Sequence, residues 1–255
     1  MLARTPILAK SVLLSAGVVL LCLLWRPLPA TAATPLHLKM GLHNFPPDFV
    51  VSPDGQSCGG PGFELTRQIF AQHQIEIEAV CVTPARMYLL LDTGELDFSI
   101  NIKSTKALSA LQNAQHQFIA PPYSQLQLVM YSHKASSAAP RDNSVALIRG
   151  FDYQGQRASL LQRGFVLVDL PDSISASELF LHQRSQHLLT YDGPFRAYAL
   201  AKDAALLAQF ERRALSSIDT FYVLSARSAH KTQMQQAIET YAARHQCRYI
   251  KGCQP

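Results

Sequence analysis

The sequence predicts an α/β fold with two lobes, each a mixed, mostly parallel sheet flanked by helices. Two observations lead to this prediction. Segments of strictly alternating apolar residues are separated by segments with the apolar spacing of helices. This order occurs twice, in two series of about ninety residues each, and strand–helix alternation of this kind is typical of parallel α/β sheets.

The first series contains three strands joined by two helices. Residues 36–42, 75–81 and 96–102 place apolar side chains at every second position, which is typical of strands. Between them, residues 62–73 and 84–91 have helical apolar spacing. A glycine follows the second helix, where it is a natural terminator.

The second series begins after a polar, proline-containing stretch at residues 132–143, which indicates a surface loop. Further strands and helices alternate beyond it. The predicted strands cover residues 145–150, 165–170, 187–194 and 218–225. The predicted helices cover residues 153–163, 172–182, the segment ending at about 203, and 229–245.

The first 33 residues have the layout of a secretory signal peptide. Arg4 and Lys10 precede an apolar run, and small residues follow in an Ala-x-Ala pattern at Ala30 and Ala32. The run is short for a membrane span, and an uncleaved N-terminal anchor is the alternative. We expect cleavage after Ala32 or Ala33 and export of a soluble mature chain.

The charge of the mature chain does not favour nucleic acid as a partner. The full sequence has 23 lysines and arginines against 18 acidic residues. Arg4, Lys10 and Arg26 lie in the leader, so 20 basic residues remain against 18 acidic ones. A nearly balanced chain lacks the basic excess that nucleic-acid binding requires.

The cysteine count predicts disulfides in an exported protein. Cys22 lies in the leader, and the remaining four form an even set, which allows three pairings. We expect local pairing, Cys58 with Cys81 and Cys247 with Cys253. A zinc site is the alternative, but neither Cys-x-x-Cys nor His-x-x-x-His spacing supports it.

Two α/β lobes create a cleft between them. Ligands of such sheets bind beyond the carboxyl ends of the strands. The ligand-binding residues are therefore expected in the turns after residues 36–42, 96–102, 145–149 and 187–191.

Several motifs, taken together in order and spacing, resemble a known family. The segment GLHNFPPDF at 41–49 is similar to a Gly-x-x-x-aromatic-Pro-Pro-aromatic motif, with Asp48 inserted before Phe49. On these motifs the chain resembles the family 3 extracellular solute-binding proteins of ABC importers, the polar amino-acid type. The other matching segments are 60–70, 83–102 and 118–123, with weaker matches at 148–153 and 191–198.

The resemblance implies a two-lobed, periplasmic-binding-protein-like fold of type II. Lobe 1 would comprise residues 34–131 plus 222–255, and lobe 2 residues 132–221, with crossovers near Tyr131 and Tyr222. The protein would be a periplasmic monomer, without cofactor, that captures a small polar ligand such as an amino acid between its lobes. It would then pass the ligand to an inner-membrane ABC permease, a task that suits hinge closure.

One departure from the family concerns the carboxylate of an amino-acid ligand. Amino-acid binders of this family usually carry an arginine after the third strand, and its guanidinium grips the carboxylate through two parallel hydrogen bonds. Leu108 stands at that position here, whereas Asp192 matches the residue that meets the ligand amino group. The site therefore needs a replacement cation, for which Arg86, Lys103 and Arg149 are candidates, or a ligand without a carboxylate.

Seven residues are candidate ligand contacts. Phe45 would stack on the ligand, and Asn101 lies on the polar face at the end of the third strand. Phe151 flanks a glycine turn whose backbone N–H groups can face an anion. Core packing is the alternative for Phe45, a solvated surface position for the cations, and helix capping for Asp192. The full set is Phe45, Arg86, Asn101, Lys103, Arg149, Phe151 and Asp192.

The sequence does not favour an enzyme, because it contains neither a Gly-x-Ser-x-Gly elbow nor a P-loop. Glu64, Asp97 or His187 could act as an acid or base, but no motif singles them out. The histidines lack metal-ligand spacing, so no metal site is expected. An extracytoplasmic sensor module with a membrane signalling partner is the alternative function, and a periplasmic enzyme on the same fold is the third.

Overall fold

Strands and helices alternate through the computed structural model, which describes residues 35–103, 116–134 and 143–253. The strands are β1 (Leu36–Leu42), β2 (Val50–Val51), β3 (Cys58–Gly59), β4 (Ile75–Cys81), β5 (Phe98–Ile102), β6 (Gln117–His133), β7 (Ser144–Ile148), β8 (Val166–Leu170), β9 (His187–Tyr191) and β10 (Phe210–Leu224). The helices are α1 (Pro61–Ala71), α2 (Pro84–Thr93), α3 (Gln156–Gln162), α4 (Ser173–Leu181), α5 (Asp192–Lys202) and α6 (Lys231–His245), with 3₁₀ turns at Leu206–Gln209 and Ile250–Gly252. Among the described residues, no helix is both long and apolar enough to cross a lipid bilayer.

Eight strands form one continuous mixed sheet in the order β4-β1-β5-β10-β6-β9-β7-β8. In lobe 1, β1 pairs in parallel with β4 and β5; in lobe 2, β7 pairs in parallel with β8 and β9. The two parallel parts are joined by the long antiparallel pair of β6 and β10, which have 17 and 15 residues. The short strands β2 and β3 pair separately.

The long pair determines where the parallel strands end. β5 is antiparallel to β10, and β9 is antiparallel to β6, so β5 and β9 run in opposite directions with their carboxyl ends facing each other. Ile102, the last residue of β5, lies opposite Thr220, and Tyr191, the last residue of β9, lies opposite Leu128. Because Thr220 pairs with Ser124, only a few residues of β6 separate the two ends.

Separate hydrophobic cores lie on the two sides of this junction. In lobe 1, α1 and α6 pack on β1 and β5, and the rings of Phe70 and Phe98 stack with centroids 5.0 Å apart. In lobe 2, α4 and α5 pack beside β9, and the rings of Phe180 and Phe195 meet with centroids 5.9 Å apart. The structure thus confirms the two-lobed α/β fold.

The predicted bounds of strands and helices agree best with the structure where apolar alternation or helix-capping residues are clear in the sequence. β1 and β4 have the predicted bounds. The α2 helix begins after Thr83, whose hydroxyl accepts the backbone N–H of Arg86, and it ends at Gly94, which adopts a left-handed φ of 81°. The glycine terminator is therefore confirmed.

The predictions miss β6 and the part of β10 that precedes Ile218. β6 contains Pro121 and Pro122, which donate no backbone N–H, and the register between the two strands shifts beside them. The first half of β10 is mostly polar and exposed, so it carries no alternation to detect. Each of these strands is held by its partner rather than by a local pattern.

Two disulfides lie in lobe 1. Cys58 of β3 is joined to Cys81 at the end of β4, and Cys247 is joined to Cys253 after α6. Both pairs have Cα atoms 5.6 Å apart, which is the usual separation in a disulfide. The first bond ties the return of the β2–β3 turn to the edge of the sheet, and the second closes a small loop that contains Ile250–Gly252.

We expect both bonds to be present in protein expressed from residue 34 onward and exported to an oxidising compartment. Intact-mass measurement should give a mass four hydrogens below that of the reduced chain, two for each bond. On the chain-entropy model, the double variant Cys58→Ala/Cys81→Ala should lose about 3 kcal/mol in free energy of unfolding, and Cys247→Ala/Cys253→Ala about 2 kcal/mol. Alkylation of four thiols in unfolded protein without reductant would contradict both bonds.

Candidate functional site

A small cavity lies where the carboxyl ends of strands from both lobes meet. Its walls come from the turn after β1, the ends of β5 and β9, the turn after β7, and the middle of the β6–β10 pair. This is the position that the topology of open α/β sheets predicts for a ligand. The lining residues are His43, Phe45, Asp48, Phe49, Ile100, Asn101, Ile102, Tyr123, Ser124, Leu126, Phe151, Tyr191 and Thr220.

Aromatic rings form most of the wall between the lobes. Phe45 of lobe 1 lies between His43, at 5.5 Å between ring centroids, and Tyr191 of lobe 2, at 5.7 Å. Phe151 of lobe 2 contacts Tyr191 edge to face, with centroids 6.5 Å apart. Beside the cavity, the Ser173 hydroxyl donates a hydrogen bond of 2.9 Å to the backbone carbonyl of Asn44. The two lobes therefore touch both through rings and through this hydrogen bond.

The turn that carries Phe45 is fixed by its own backbone. Phe45 and Phe49 exchange two backbone hydrogen bonds, of 2.8 Å and 3.1 Å, across Pro46 and Pro47. The backbone carbonyl of Asp48 accepts a hydrogen bond of 3.0 Å from the N–H of Gly62 at the start of α1. Since proline fixes φ and this turn is closed at its base, the Phe45 ring has little freedom of position.

Asp48 is the single carboxylate among the described lining residues, and it already has a partner. Its side chain is 91% buried, and Lys251 places Nζ 2.7 Å from the carboxylate. Lys251 belongs to the small loop closed by Cys247 and Cys253. The C-terminal segment of lobe 1 thus neutralises the acid in the cavity wall.

His43 supplies an unpartnered polar atom. The residue is buried, and its Nδ1 has no hydrogen-bond partner among the described residues. Burial lowers the pKa of His43 to about 4, although the neighbouring Asn44 backbone and the charge of Asp172 act in the opposite direction. The imidazole is therefore neutral at pH 7.

Tyr191 supplies a second such atom. Its hydroxyl is buried without a partner in the described part of the chain, and burial raises its pKa well above the ordinary value, so it remains a phenol. The other polar groups of the wall are mostly satisfied. Ser124 and Thr220 bond to each other at 2.8 Å, and the amide oxygen of Asn101 accepts the N–H of Ile102 at 2.9 Å.

Three of the seven predicted contacts come together in this cavity, namely Phe45, Asn101 and Phe151. Arg86 lies elsewhere, on the exposed side of α2, where it lines an outer groove together with residues of α4. Lys103 is exposed and holds its Nζ 4.4 Å from the ring centroid of Phe221.

The other two predicted contacts lie away from the cavity. Arg149 is exposed, and its backbone N–H donates to the Leu170 carbonyl at 2.8 Å. Asp192 accepts hydrogen bonds from Arg212 at 2.9 Å and 3.1 Å and from the Tyr131 hydroxyl. Burial opposes ionisation of Asp192, but these partners outweigh it and lower its pKa. Helix capping by this side chain, the alternative role, is not observed.

Some of the predictions fall on segments outside the described residues. The leader, residues 1–33, lies in the first of these. Leu108 lies in the second, between residues 103 and 116. Within the residues that are described, no group of three or more histidine, cysteine or acidic side chains could hold a metal ion.

The sequence-based site prediction leaves out His43 and Tyr191. The sequence did indicate both positions, because each residue stands at the carboxyl end of a predicted strand that borders the cleft. Tyr123 and Thr220 carry no such signal. They enter the wall only through the pairing of β6 with β10.

Comparison with known proteins finds the fold but not a sequence relative. No family model and no curated protein matches the sequence. The holo arginine-binding protein of T. maritima has a TM-score of 0.62 and 18% identity, covering 82% of this chain and 89% of that one. The GluR0 ligand-binding core of Nostoc punctiforme with L-glutamate has a TM-score of 0.61 and 16% identity, covering 81% and 93%.

A third similar structure is a domain of a signalling protein. A histidine kinase sensor domain with similarity to periplasmic binding proteins has a TM-score of 0.61 and 16% identity, covering 83% of this chain and 92% of that one. At such identities the likeness establishes the fold alone. The first two bind arginine and L-glutamate, and the third is a sensor domain.

Substitution of Gly62 should disturb the cavity wall. A β-carbon at this position would lie 2.7 Å from the Phe49 ring and 2.8 Å from the Tyr123 hydroxyl. We expect Gly62→Ala to lower the free energy of unfolding by about 1–3 kcal/mol in urea denaturation, as overpacked sites do. Gly59→Ala is the matched control, because a β-carbon there meets nothing within 4 Å. Equal stability of the two variants would contradict this packing.

The buried His43 should make stability fall in mild acid. Its pKa is about 4 in the folded chain and 6.5 in the reference state, so the unfolded chain binds more protons between these values. The free energy of unfolding should therefore decrease by about 3 kcal/mol from this group as the pH falls from 6.5 to 4. Burial lowers the pKa of His116 and His133 as well, and these groups add to the same trend.

The measurement compares denaturation at pH 7 and pH 4 for the original chain and for His43→Phe. The variant keeps a ring but cannot titrate, so its loss of stability in acid should be smaller by about 3 kcal/mol. His182→Gln, which removes an exposed imidazole, is the control and should retain the original pH dependence. An unchanged pH dependence in His43→Phe would show that this histidine is not the buried neutral group.

Proposed function

We propose that the chain is an exported solute-binding protein that captures a small molecule in the cavity between its lobes. The observation that carries this proposal is the cavity itself, which has walls from both lobes and buried polar atoms without partners. Buried polar groups are normally hydrogen-bonded, so unpartnered ones that line a cavity favour a ligand that supplies the missing bonds. The binding functions of the similar structures agree with this role.

Delivery of the ligand to an inner-membrane ABC permease is the mode of action that we favour. The leader and the two disulfides support a periplasmic location, since disulfides persist in oxidising compartments. We keep the lobes as residues 34–131 plus 222–255 and residues 132–221, and we regard the protein as a monomer that acts without a cofactor. Phe45, Asn101 and Phe151 are the proposed ligand contacts among the predicted residues.

A sensor module is the second candidate function. It is favoured by the similarity to a histidine kinase sensor domain, which has a comparable TM-score. A sensor would bind the same ligand but would need a membrane signalling partner. Deletion of the gene separates the two roles: a transport protein is required for uptake of radiolabelled ligand, whereas a sensor changes gene expression without being required for uptake.

Ligand binding is tested by a thermal-shift screen of amino acids, amines, small acids and uncharged ring compounds, followed by calorimetry. A true ligand at a hundred times its Kd should stabilise the chain by roughly 2.7 kcal/mol. Phe45→Ala should weaken binding of that ligand about tenfold or more, because it removes an aromatic wall. Phe118→Ala, which removes an aromatic side chain that does not line the cavity, is the control. Absence of any binding across the screen would contradict the proposed function.

A further inference from the structure

The cavity wall offers no positive charge to an anionic ligand. Its described lining residues include neither lysine nor arginine. The cations considered for this role are placed elsewhere: Arg86 lines the outer groove, Lys103 lies over Phe221, and Arg149 is exposed on lobe 2. An unpaired carboxylate in such a site would lose its hydration without gaining a partner, which is strongly unfavourable.

The acidic groups that could pair with an ammonium group are already occupied. Asp48 is paired with Lys251, and Asp192 is held by Arg212 and Tyr131 away from the cavity. His43 is neutral, because burial keeps its pKa far below 7. Among the described residues, a zwitterion therefore finds a free charge partner for neither of its ends.

The cavity wall presents the faces and edges of aromatic rings together with a few hydrogen-bonding atoms. The rings of Phe45, Phe151 and Tyr191 come from both lobes, and aromatic groups of a ligand pack well against such surfaces. The Tyr191 hydroxyl can donate or accept a hydrogen bond. His43 Nδ1 accepts in one tautomer and donates in the other. Both residues are more than nine-tenths buried.

We infer that the cavity binds an uncharged aromatic or heteroaromatic compound that carries a hydroxyl or ring N–H group, in preference to a zwitterionic amino acid. The inference rests on the proposed function and names its ligand class. The ring packs against Phe45 of lobe 1 and against Phe151 and Tyr191 of lobe 2 where these residues line the cavity. Its hydroxyl or N–H supplies the hydrogen bond that His43 Nδ1 or the Tyr191 hydroxyl lacks.

Two ligand series that vary charge on a constant ring test the inference by calorimetry. One series is indole, tryptamine, indole-3-acetate and tryptophan; the other is 4-methylphenol, tyramine, 4-hydroxyphenylacetate and tyrosine. In at least one series the neutral member should bind ten times or more tightly than the anion and the zwitterion. Tighter binding of the charged members in both series would overturn the inference, as would binding of tryptamine or tyramine in place of the neutral ring.

Two variants test the hydrogen bonds themselves. Tyr191→Phe and His43→Phe keep a ring but remove the unpartnered atom, so at least one should reduce the preference for indole over benzothiophene by fivefold or more. Tyr131→Phe is the matched control, because its buried hydroxyl bonds Asp192 and does not line the cavity. An unchanged preference in both ring variants would contradict the assigned contacts.

The outcomes separate this inference from the proposed function. If arginine, glutamate or another amino acid binds while the neutral rings do not, the solute-binding role stands and the inferred ligand class is wrong. If no compound of any class binds, the proposed function fails and the ligand class fails with it. If neutral rings bind and the hydrogen-bond variants lower their affinity, both are supported.

Discussion

The antiparallel pairing of β6 with β10 is the constraint on which the rest of the structure depends. It runs through both lobes and reverses the direction of one parallel sheet relative to the other. The carboxyl ends of β5 and β9 consequently face each other across a few residues of β6. The side chains at these strand ends meet at the cavity because of this reversal.

Charged side chains near the cleft are paired with one another rather than left free. Ionic groups near the cleft are paired with one another, as in Asp48 with Lys251 and Asp192 with Arg212, and these pairs hold chain segments together. Apart from Asp48, the described lining residues of the cavity carry aromatic rings, aliphatic side chains or neutral polar groups. A charged group placed there would lose hydration without gaining a free charge partner among the described residues.

The wall that carries Phe45 is braced from three directions. Its own backbone closes the turn, Gly62 at the start of α1 donates to it, and Lys251 reaches it from the C-terminal loop. The disulfides lie just behind these contacts, at Cys58–Cys81 and Cys247–Cys253. Rigid support of this kind places an aromatic ring accurately and reduces the ordering cost of binding.

The amino-acid order alone was enough to establish the α/β class, the bounds of strands such as β1 and β4, and the end of α2 at Gly94. These features depend on neighbouring residues, through alternation, turn chemistry and helix ends. The long strands and the composition of the cavity were decided by tertiary structure. Ser124 and Thr220, which meet in the cavity wall, are 96 residues apart, and no local pattern encodes their contact. The same holds for the cations. Lys103 and Arg149 stand at strand ends in the sequence, but the structure shows that they do not line the cavity. His43 and Tyr191, which also stand at strand ends, do line it.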